Sequence, residues 1–338
     1  MPALRLSRTF TSTACITTAA LGVAVFASAF TFTSKAQAEE AIVGLVTKTE
    51  VNPFFVKMRQ AAEAEAKKKG VKLIARAGKF DGDNEGQVAA LEDLISAGAK
   101  GILITPNNST GMLGIIKKAR AAGILVIALD TPTDPADAVD ATYATDNFEA
   151  GVKQGTYARK AMGDKKAVLA MLDGTPGGSV DTFRHNGYLQ GFGIKEGDPS
   201  IVGSAITNGA QDKGQTGMEN LLSKNGDINA VYTINEPAAA GGYAALKSFG
   251  KAKDVMLTSI DGGCAGVRDV KSGKIAATVM QFPYKMATLG IDAVAEYAKT
   301  GKKPSGFINT GSELITDKPV AGLDSHDTAW GLKNCWGD

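Results

Sequence analysis

From Ala41 onward the chain alternates short, apolar, β-branched runs with longer amphipathic segments. Short apolar runs bounded by polar or glycine-rich turns are typical of buried strands. The predicted strands are Ile42–Val46, Val71–Ala75, Gly101–Ile104, Ile124–Leu129, Ala167–Leu172, Ile201–Ile206, Ala230–Ile234, Val255–Ile260 and Ile275–Met280. The predicted helices are Pro53–Lys69, Asn84–Ala97, Thr110–Ala121, Phe148–Met162, Val180–Lys195, Lys213–Lys224, Pro237–Phe249, Cys264–Lys271 and Tyr284–Lys299. This repetition predicts an α/β fold in which parallel sheets are covered by helices on both faces.

The number of strands exceeds what one parallel domain of this size holds comfortably, so we expect two lobes. The pattern changes at Ala141–Asn147, a short polar stretch that follows a Pro- and Asp-rich loop. We interpret it as a crossover into the second lobe. Pro304–Pro319 has no helical period and is predicted to cross between the lobes again.

Residues 1–38 have the pattern of a signal peptide. Arg5 and Arg8 precede an apolar run of small residues, and Ala36-Gln37-Ala38 fits the cleavage pattern. We therefore expect export to the periplasm, with cleavage after Ala38. Of the 37 Lys and Arg residues, three lie in this segment, which leaves 34 against 35 Asp and Glu, a net charge of −1. Near-neutrality argues against nucleic acid or an anionic membrane as partner.

The sequence offers little evidence for a catalytic, metal-binding or cofactor-binding motif. His185 and His326 are the only histidines, and neither belongs to a metal-ligand pattern. The loop Asp173–Ser179 (DGTPGGS) follows a strand and opens a helix, but its glycine spacing is wrong for a phosphate-binding loop. We expect it to make close backbone contacts instead. We predict no cofactor, no metal and no enzymatic activity, although a glycosidase with paired carboxylates remains an alternative.

Two cysteines, Cys264 and Cys335, remain after cleavage. They could pair in an oxidising compartment, but their spacing does not reveal their separation in space. The sequence leaves this disulfide open.

Polar residues follow the predicted strands at the sheet edge where open α/β folds bind ligands. They are Lys48, Thr105, Asp130, Asn235, Asp261 and Gln281. For either Asp130 or Asp261 alone, capping of the next loop or helix is an equally good explanation. Carboxylates and amides at one edge suit a sugar, whose hydroxyl groups both donate and accept hydrogen bonds.

The stretch that follows the first strand adds aromatic rings to this edge. Asn52 suits an N-cap and Pro53 the first helical position, so Phe54 and Phe55 would begin a helix beside the ligand. Their rings could cover the apolar face of a sugar, or they could only fill the core. Arg184 begins a helix and could point into a cleft; pairing with Asp181 at the surface is the alternative.

These motifs together resemble the periplasmic sugar-binding proteins of ABC transporters, in the ribose-binding branch that shares its fold with LacI-type repressor cores. The similarity spans Ala41 to about Lys318 and is greatest toward bacterial fructose-binding proteins. Its carriers are Asn52–Phe55 (NPFF), Ile104–Pro106 (ITP), Val126–Asp130 (VIALD), Ala144–Asn147 (ATDN), Phe183–Tyr188 (FRHNGY), Asn235-Glu236, Ser259–Gly262 (SIDG) and Ala277–Pro283 (ATVMQFP).

The resemblance implies a role for each candidate residue. Asn52 and Asp130 would bond sugar hydroxyls from the first lobe, and Phe54 and Phe55 would pack on the ring. The second lobe would contribute Arg184, Asn235, Asp261 and Gln281. Several positions depart from the ribose binders: Lys48 replaces a serine, Thr105 an asparagine, Thr131 an arginine and Ile260 a phenylalanine. These departures favour a hexose, fructose first, with ribose and mannose as further candidates.

The resemblance also implies a type I periplasmic binding protein with three hinge crossovers, at Thr145–Asp146, Gln281–Phe282 and Thr310–Gly311. The first lobe would comprise residues 41–145 and 282–310, and the second residues 146–281 and 311–338. The implied function is the monomeric solute-binding component of a sugar importer that delivers its ligand to an ABC permease. A sugar sensor for a chemotaxis or kinase receptor is the alternative. A repressor would need an N-terminal helix-turn-helix, which the signal peptide replaces.

Overall fold

The computed structural model describes residues 11–15 and 40–337. Most of the predicted signal peptide, residues 1–38, and its cleavage site lie outside the described residues. None of the helices among residues 40–337 combines the length and the apolar character that a membrane span requires.

The described strands form two six-stranded sheets. The first contains β1 (Ile42–Thr47), β2 (Lys72–Ala77), β3 (Gly101–Ile104), β4 (Leu125–Leu129), β5 (Ala141–Ala144) and β11 (Gly306–Asn309), in the order β11-β5-β4-β3-β1-β2. The second contains β6 (Leu169–Asp173), β7 (Ile201–Ile206), β8 (Ala230–Thr233), β9 (Met256–Asp261), β10 (Ala277–Met280) and β12 (Glu313–Ile315), in the order β12-β10-β9-β8-β6-β7. Neighbouring strands are parallel except for the antiparallel pair β10 and β12. We call the two sheets with their helices the first and second lobes.

Helices cover both faces of each sheet. The first lobe carries α1 (Pro53–Lys69), α2 (Asn84–Ser96), α3 (Leu113–Ala121) and α9 (Pro283–Thr300). The second carries α4 (Asn147–Met162), α5 (Ser179–Phe192), α6 (Gln211–Lys224), α7 (Glu236–Ser248), α8 (Cys264–Lys271) and α10 (Thr328–Asn334). In β4, Ile127 packs with α1 and α9 while Val126 packs with α2 and α3, because successive side chains point to opposite faces. The predicted α/β fold with parallel, doubly covered sheets is confirmed.

The first strand–helix unit forms as its sequence predicts. Asn52 caps α1 by accepting a hydrogen bond from the backbone N–H of Phe54, and Pro53 occupies the first helical position. The helix ends at Gly70, whose left-handed φ of 65° suits glycine.

The largest difference from the predicted elements lies at Ala141–Asn147. Its first four residues are not a crossover but strand β5, buried between β4 and β11 in the first sheet. The run was too short and too rich in polar residues to show an apolar strand pattern. The chain leaves the first sheet only afterwards, and α4 begins at Asn147.

The chain passes from one sheet to the other three times: after β5, after β10 and after β11. Pro304–Pro319 therefore contributes one strand to each lobe, which explains its lack of helical period.

Candidate functional site

Residues from the carboxyl ends of both sheets enclose a small cavity of ≈ 40 Å³, which we call the inner cavity. Its walls combine charged, amide and phenyl groups. They are formed by Lys48, Asn52, Phe54, Phe55, Asp81, Asp130, Gly174, Thr175, Gly178, Val180, Asp181, Arg184, Gly209, Ile234, Asn235, Asp261 and Gln281.

All the candidate ligand residues taken from the sequence line this cavity except Thr105. The Thr105 side chain is fully buried, and its hydroxyl donates to the backbone carbonyl of Val46 at 3.4 Å. Gln87 holds the turn that follows, because its amide donates to the carbonyl of Thr105 at 2.8 Å and accepts from the N–H of Asn107. Thr105 therefore belongs to the support beneath the site, and the prediction that it lines the site is wrong.

Asn52 and the two phenylalanines serve both the core and the cavity. Oδ1 of Asn52 caps α1 at 3.0 Å, which leaves its Nδ2 available as a donor. Phe54 and Phe55 are each 4% exposed and meet edge to face with ring centroids 5.4 Å apart. They belong to the first-lobe core cluster and also form an apolar wall of the cavity.

The carboxylate of Asp130 lies directly after β4. Its backbone has a φ of 63°, and its Oδ2 accepts a hydrogen bond from Oγ1 of Thr131 at 2.8 Å. Asn147, at the start of α4, donates to the backbone carbonyl of Asp130 at 3.2 Å. Asp130 caps no described helix, so the helix-capping alternative is wrong for this residue, whereas its hydrogen bond from Thr131 does fix the start of the loop that follows.

Asp261 ends β9 and is fixed by two donors. Gln281 donates from Nε2 to its Oδ1 at 2.8 Å, and the N–H of Glu236 donates to its Oδ2 at 3.2 Å. The N-cap position of the helix after β9 is Gly263, so Asp261 does not cap that helix. Burial raises the pKa of Asp261 to about 6, although Arg184 and the hydrogen bond from Gln281 oppose the rise.

Glu236 supports Asp261 from behind. Its carboxylate accepts hydrogen bonds from the N–H groups of Gly262 and Gly263 at 2.9 and 3.1 Å, and from the hydroxyl of Thr278 at 2.7 Å. Burial and the adjacent Asp261 raise the pKa of Glu236 well above its usual value. Glu236 thereby holds the loop that follows Asp261.

Arg184 is buried, with 3% of its surface exposed. Its Nε donates to Oδ1 of Asn147 at 2.7 Å and its NH1 group to the carbonyl of Ile234 at 2.9 Å. The alternative of a surface pair with Asp181 is wrong, because Asp181 instead accepts a 2.6 Å hydrogen bond from the N–H of Gly174. Arg184 thus places a fixed positive charge in the wall of the cavity.

Asn235 also lines the cavity, but both polar atoms of its side-chain amide make hydrogen bonds within the protein. Its Oδ1 caps α7 by accepting from the N–H of Ala238 at 3.0 Å, and its Nδ2 donates to the carbonyl of Gly209 at 3.1 Å. One amide hydrogen remains for a ligand.

Sequence reasoning missed Asp81, which lies four residues beyond β2. Its Oδ1 is buried without a hydrogen-bond partner and lies 3.8 Å from Nζ of Lys48. Burial raises the pKa of Asp81, and the charge of Lys48 opposes this. Asp81 is, like the other candidates, a polar residue that follows a strand at the ligand-binding edge of the sheet. It was missed because the predicted strand ended at Ala75, two residues before the end of β2.

The lobes are also joined beside Gly178 of the cavity wall by what we call the serine latch: Ser109 and Pro132 of the first lobe with Gly177 and Ser179 of the second. The N–H of Ser109 donates to the carbonyl of Gly177 at 3.0 Å, and the N–H of Ser179 donates to Oγ of Ser109 at 3.0 Å. Both serine hydroxyls donate to the carbonyl of Pro132 at 2.8 Å. The loop DGTPGGS therefore makes the close backbone contacts expected of it, and they connect the second lobe to the first.

The residues predicted as hinges lie where the chain crosses between the sheets. Oγ1 of Thr145 donates to Oε1 of Gln281 at 3.1 Å, which links the first crossing to the second. Asn309 accepts from the N–H of Asp146 at 3.3 Å and from that of Gly311 at 2.9 Å. Phe282 begins the segment that leads to α9, and Thr310 follows β11.

A larger groove of ≈ 820 Å³ adjoins the inner cavity, and the two share Asn52, Asp81, Gly209 and Asp261. It is the larger of the two, yet it lacks Asp130, Arg184, Asn235 and Gln281. We assign the candidate site to the inner cavity because the hydrogen-bonding groups of both lobes converge there.

The disulfide that the sequence left open is present: Cys264 and Cys335 are bonded, with Cα atoms 4.9 Å apart. No group of three or more His, Cys, Asp or Glu residues in the described part of the chain is arranged to hold a metal ion.

A model of the periplasmic binding protein domain matches residues 43–303, and the chain belongs to this family. The ribose import binding protein of Bacillus subtilis (strain 168) is 32% identical over 282 residues, which cover 83% of this chain and 88% of that protein. The D-allose-binding periplasmic protein of Escherichia coli (strain K12) is 30% identical over 288 residues, covering 83% of this chain and 90% of that protein. Among solved structures, an ABC transporter periplasmic solute-binding protein from Actinobacillus succinogenes 130z with bound D-allose superposes with a TM-score of 0.74 at 28% identity, covering 82% of this chain and 98% of that one. The family resemblance seen in the motifs is confirmed.

Proposed function

We propose that this protein is the exported, periplasmic sugar-binding component of an ABC importer and binds one monosaccharide in the inner cavity. The observation that carries the proposal is the convergence of Asp130 from the first lobe with Arg184 and Asp261 from the second around one space walled by Phe54 and Phe55. Carboxylates, an amide and an arginine can bind the hydroxyls while the rings cover the C–H face. Hydrogen bonds to ionised groups contribute about 1.5–3 kcal/mol each, and a handful suffices for micromolar binding near about −8 kcal/mol.

The mechanism is a two-state closure. We propose lobes of residues 41–145 with 282–310 and of residues 146–281 with 311–338, hinged at the three crossings. The inner cavity is lined by residues of both lobes and, at ≈ 40 Å³, is smaller than a monosaccharide, so the sugar enters when the lobes are apart and, once bound, holds the cavity walls further apart than they are in this structure. Because it contacts both lobes only in the closed form, the sugar stabilises that form. The closed monomer then delivers its sugar, chemically unchanged, to a membrane permease.

We propose a hexose as the ligand, with fructose first. Two positions that differ from the ribose binders support a larger sugar. Thr131, whose short hydroxyl bonds Asp130, stands where those proteins carry an arginine, and Ile260 stands in place of a phenylalanine. The known relatives include both ribose- and allose-binding proteins, so the family accommodates pentoses and hexoses.

Calorimetric titration of sugar-free protein with fructose, ribose, mannose, galactose, xylose and allose tests this function. We expect one to bind with micromolar or tighter affinity and to be recovered unaltered after incubation. Absence of binding to every sugar of the panel would overturn the proposal, and conversion of the sugar would point to an enzyme instead.

A further inference from the structure

The backbone of the segment Cys335–Gly337 is attached to the second lobe, whereas its largest side chain packs in the first lobe. We call this segment the C-terminal tail. Cys335 is bonded to Cys264 at the start of α8, and the carbonyl of Trp336 accepts a hydrogen bond from the N–H of Cys264 at 3.0 Å. The indole ring is 4% exposed and packs in the first-lobe core cluster. Trp336 therefore bridges the lobes.

The ring of Trp336 contacts two residues of the inner cavity. It meets the ring of Phe54 edge to face, with centroids 5.6 Å apart and planes at 75°. Its Nε1 donates a 2.7 Å hydrogen bond to the backbone carbonyl of Gln281. The Gln281 side chain in turn donates to Asp261, so the indole supports both an apolar wall and a polar group of the site.

Trp336 also contacts the loop that follows Asp261. Gly263 forms a β-bridge with Trp336, and a Cβ added at Gly263 would lie 3.6 Å from the indole ring. The same loop is held by the Glu236 carboxylate through the N–H groups of Gly262 and Gly263. The segment after Asp261 is thus confined between Glu236 and the tail.

We propose that Trp336 is a positioning residue of the sugar site: the Cys264–Cys335 disulfide fixes the tail, and the indole holds Phe54 and Gln281 where the sugar needs them. The inference rests on the proposed function, because it concerns the same cavity. Trp336 does not itself line the inner cavity. Its effect on binding passes through the two residues that it contacts.

The first experiment compares Trp336→Ala, Trp336→Phe and the control Trp330→Phe in calorimetric titration with the sugar that wild type binds best. Trp330 lies on α10, stacks on His326 and does not line the inner cavity. Loss of an edge-to-face contact and a buried hydrogen bond should weaken binding about ten- to fiftyfold in Trp336→Ala. Trp336→Phe keeps an aromatic edge against Phe54, so it should recover much of that loss, whereas Trp330→Phe should bind as wild type does. All titrations are made well below the melting temperature of each variant.

The second experiment removes the anchor with the double variant Cys264→Ser/Cys335→Ser. We expect weaker binding through faster sugar dissociation in stopped-flow measurements. Trp330→Phe leaves Trp336 as the sole tryptophan, since the sequence contains two. Its fluorescence should change on sugar addition, which a remote structural residue would not show.

The outcomes separate this inference from the proposed function. If wild type binds none of the sugars, both fail. If wild type binds but Trp336→Ala and the double serine variant retain its affinity and dissociation rate, only the positioning role fails, even where the melting temperature falls. An unchanged Trp336 fluorescence on saturation would also overturn it.

Discussion

Gln281 donates a 2.8 Å hydrogen bond from its side-chain amide to Oδ1 of Asp261. The amide oxygen of Gln281 accepts from Thr145 at another crossing between the lobes. One side chain therefore joins the polar wall of the candidate site to two of the predicted hinges. We expect movement of the lobes to be coupled through this residue to the orientation of the Asp261 carboxylate.

Replacing either Asp130 or Asp261 by alanine should abolish measurable sugar binding while the protein stays folded. Each hydrogen bond to a carboxylate contributes about 1.5–3 kcal/mol, so losing two of them exceeds a hundredfold in affinity. Calorimetry measures the loss, and circular dichroism checks the fold. Asp227→Ala, at an exposed position, is the matched control. Unchanged affinity in Asp130→Ala or Asp261→Ala would refute the site assignment.

Sugar binding should weaken as the pH falls from 7 to 5. Burial raises the pKa of Asp261 to about 6, so its carboxylate is protonated within this range and becomes a poorer acceptor. In Gln281→Leu the hydrogen bond that lowers this pKa is lost, and the midpoint should move to higher pH. Titrations at half-unit pH intervals give both midpoints. A flat profile in wild type would show that Asp261 does not bind the sugar as a carboxylate.

Removing the serine latch should speed sugar release. The double variant Ser109→Ala/Ser179→Ala loses hydrogen bonds that join the lobes in the closed form, each contributing about 0.5–1.5 kcal/mol. We expect the dissociation rate to rise about tenfold with little change in melting temperature. Ser223→Ala, on the exposed surface of α6, is the control. Equal dissociation rates in the latch variant and in wild type would mean that these contacts do not hold the cleft closed.

The stabilisation that protonated His185 gives to the folded state should be lost at alkaline pH. Its ring nitrogens lie 2.7 Å from a carboxylate oxygen of Asp173 and 2.9 Å from one of Glu196, which raise its pKa to about 9. Because the folded state holds this proton more tightly, the stabilisation is fully present below the unfolded pKa of about 6.5 and is lost as the pH rises through about 9. The melting temperature of wild type should therefore fall more between pH 7 and 10 than that of His185→Gln. Parallel curves for the two proteins would exclude this ion pair as the cause.

The sequence was most informative where one local pattern decided the structure. Apolar runs such as Ile124–Leu129 predict buried strands, and Asn52-Pro53 predicts the start of α1, because a strand core and an N-cap depend on nearby residues. Strand β5 was not predicted because its four residues carry no apolar strand pattern. It is a strand because it pairs with β4 and with β11, and β11 follows much later in the chain.

Residues whose role depends on distant partners were harder to predict. Thr105 follows a strand as Asp130 does, yet its side chain turns back to Val46. Nothing near Trp336 in sequence indicates that it reaches Phe54, since the two residues are far apart in the chain and the adjacent Cys335 is bonded to Cys264, 71 residues before it.

The most direct test of the whole account is a crystal structure of the protein grown with its tightest-binding sugar. We predict one unaltered monosaccharide in the inner cavity. Its hydroxyl groups should donate hydrogen bonds to the carboxylates of Asp130 and Asp261, and one face of its ring should pack against Phe55. A sugar bound only in the larger groove, in contact with neither carboxylate, would contradict the account.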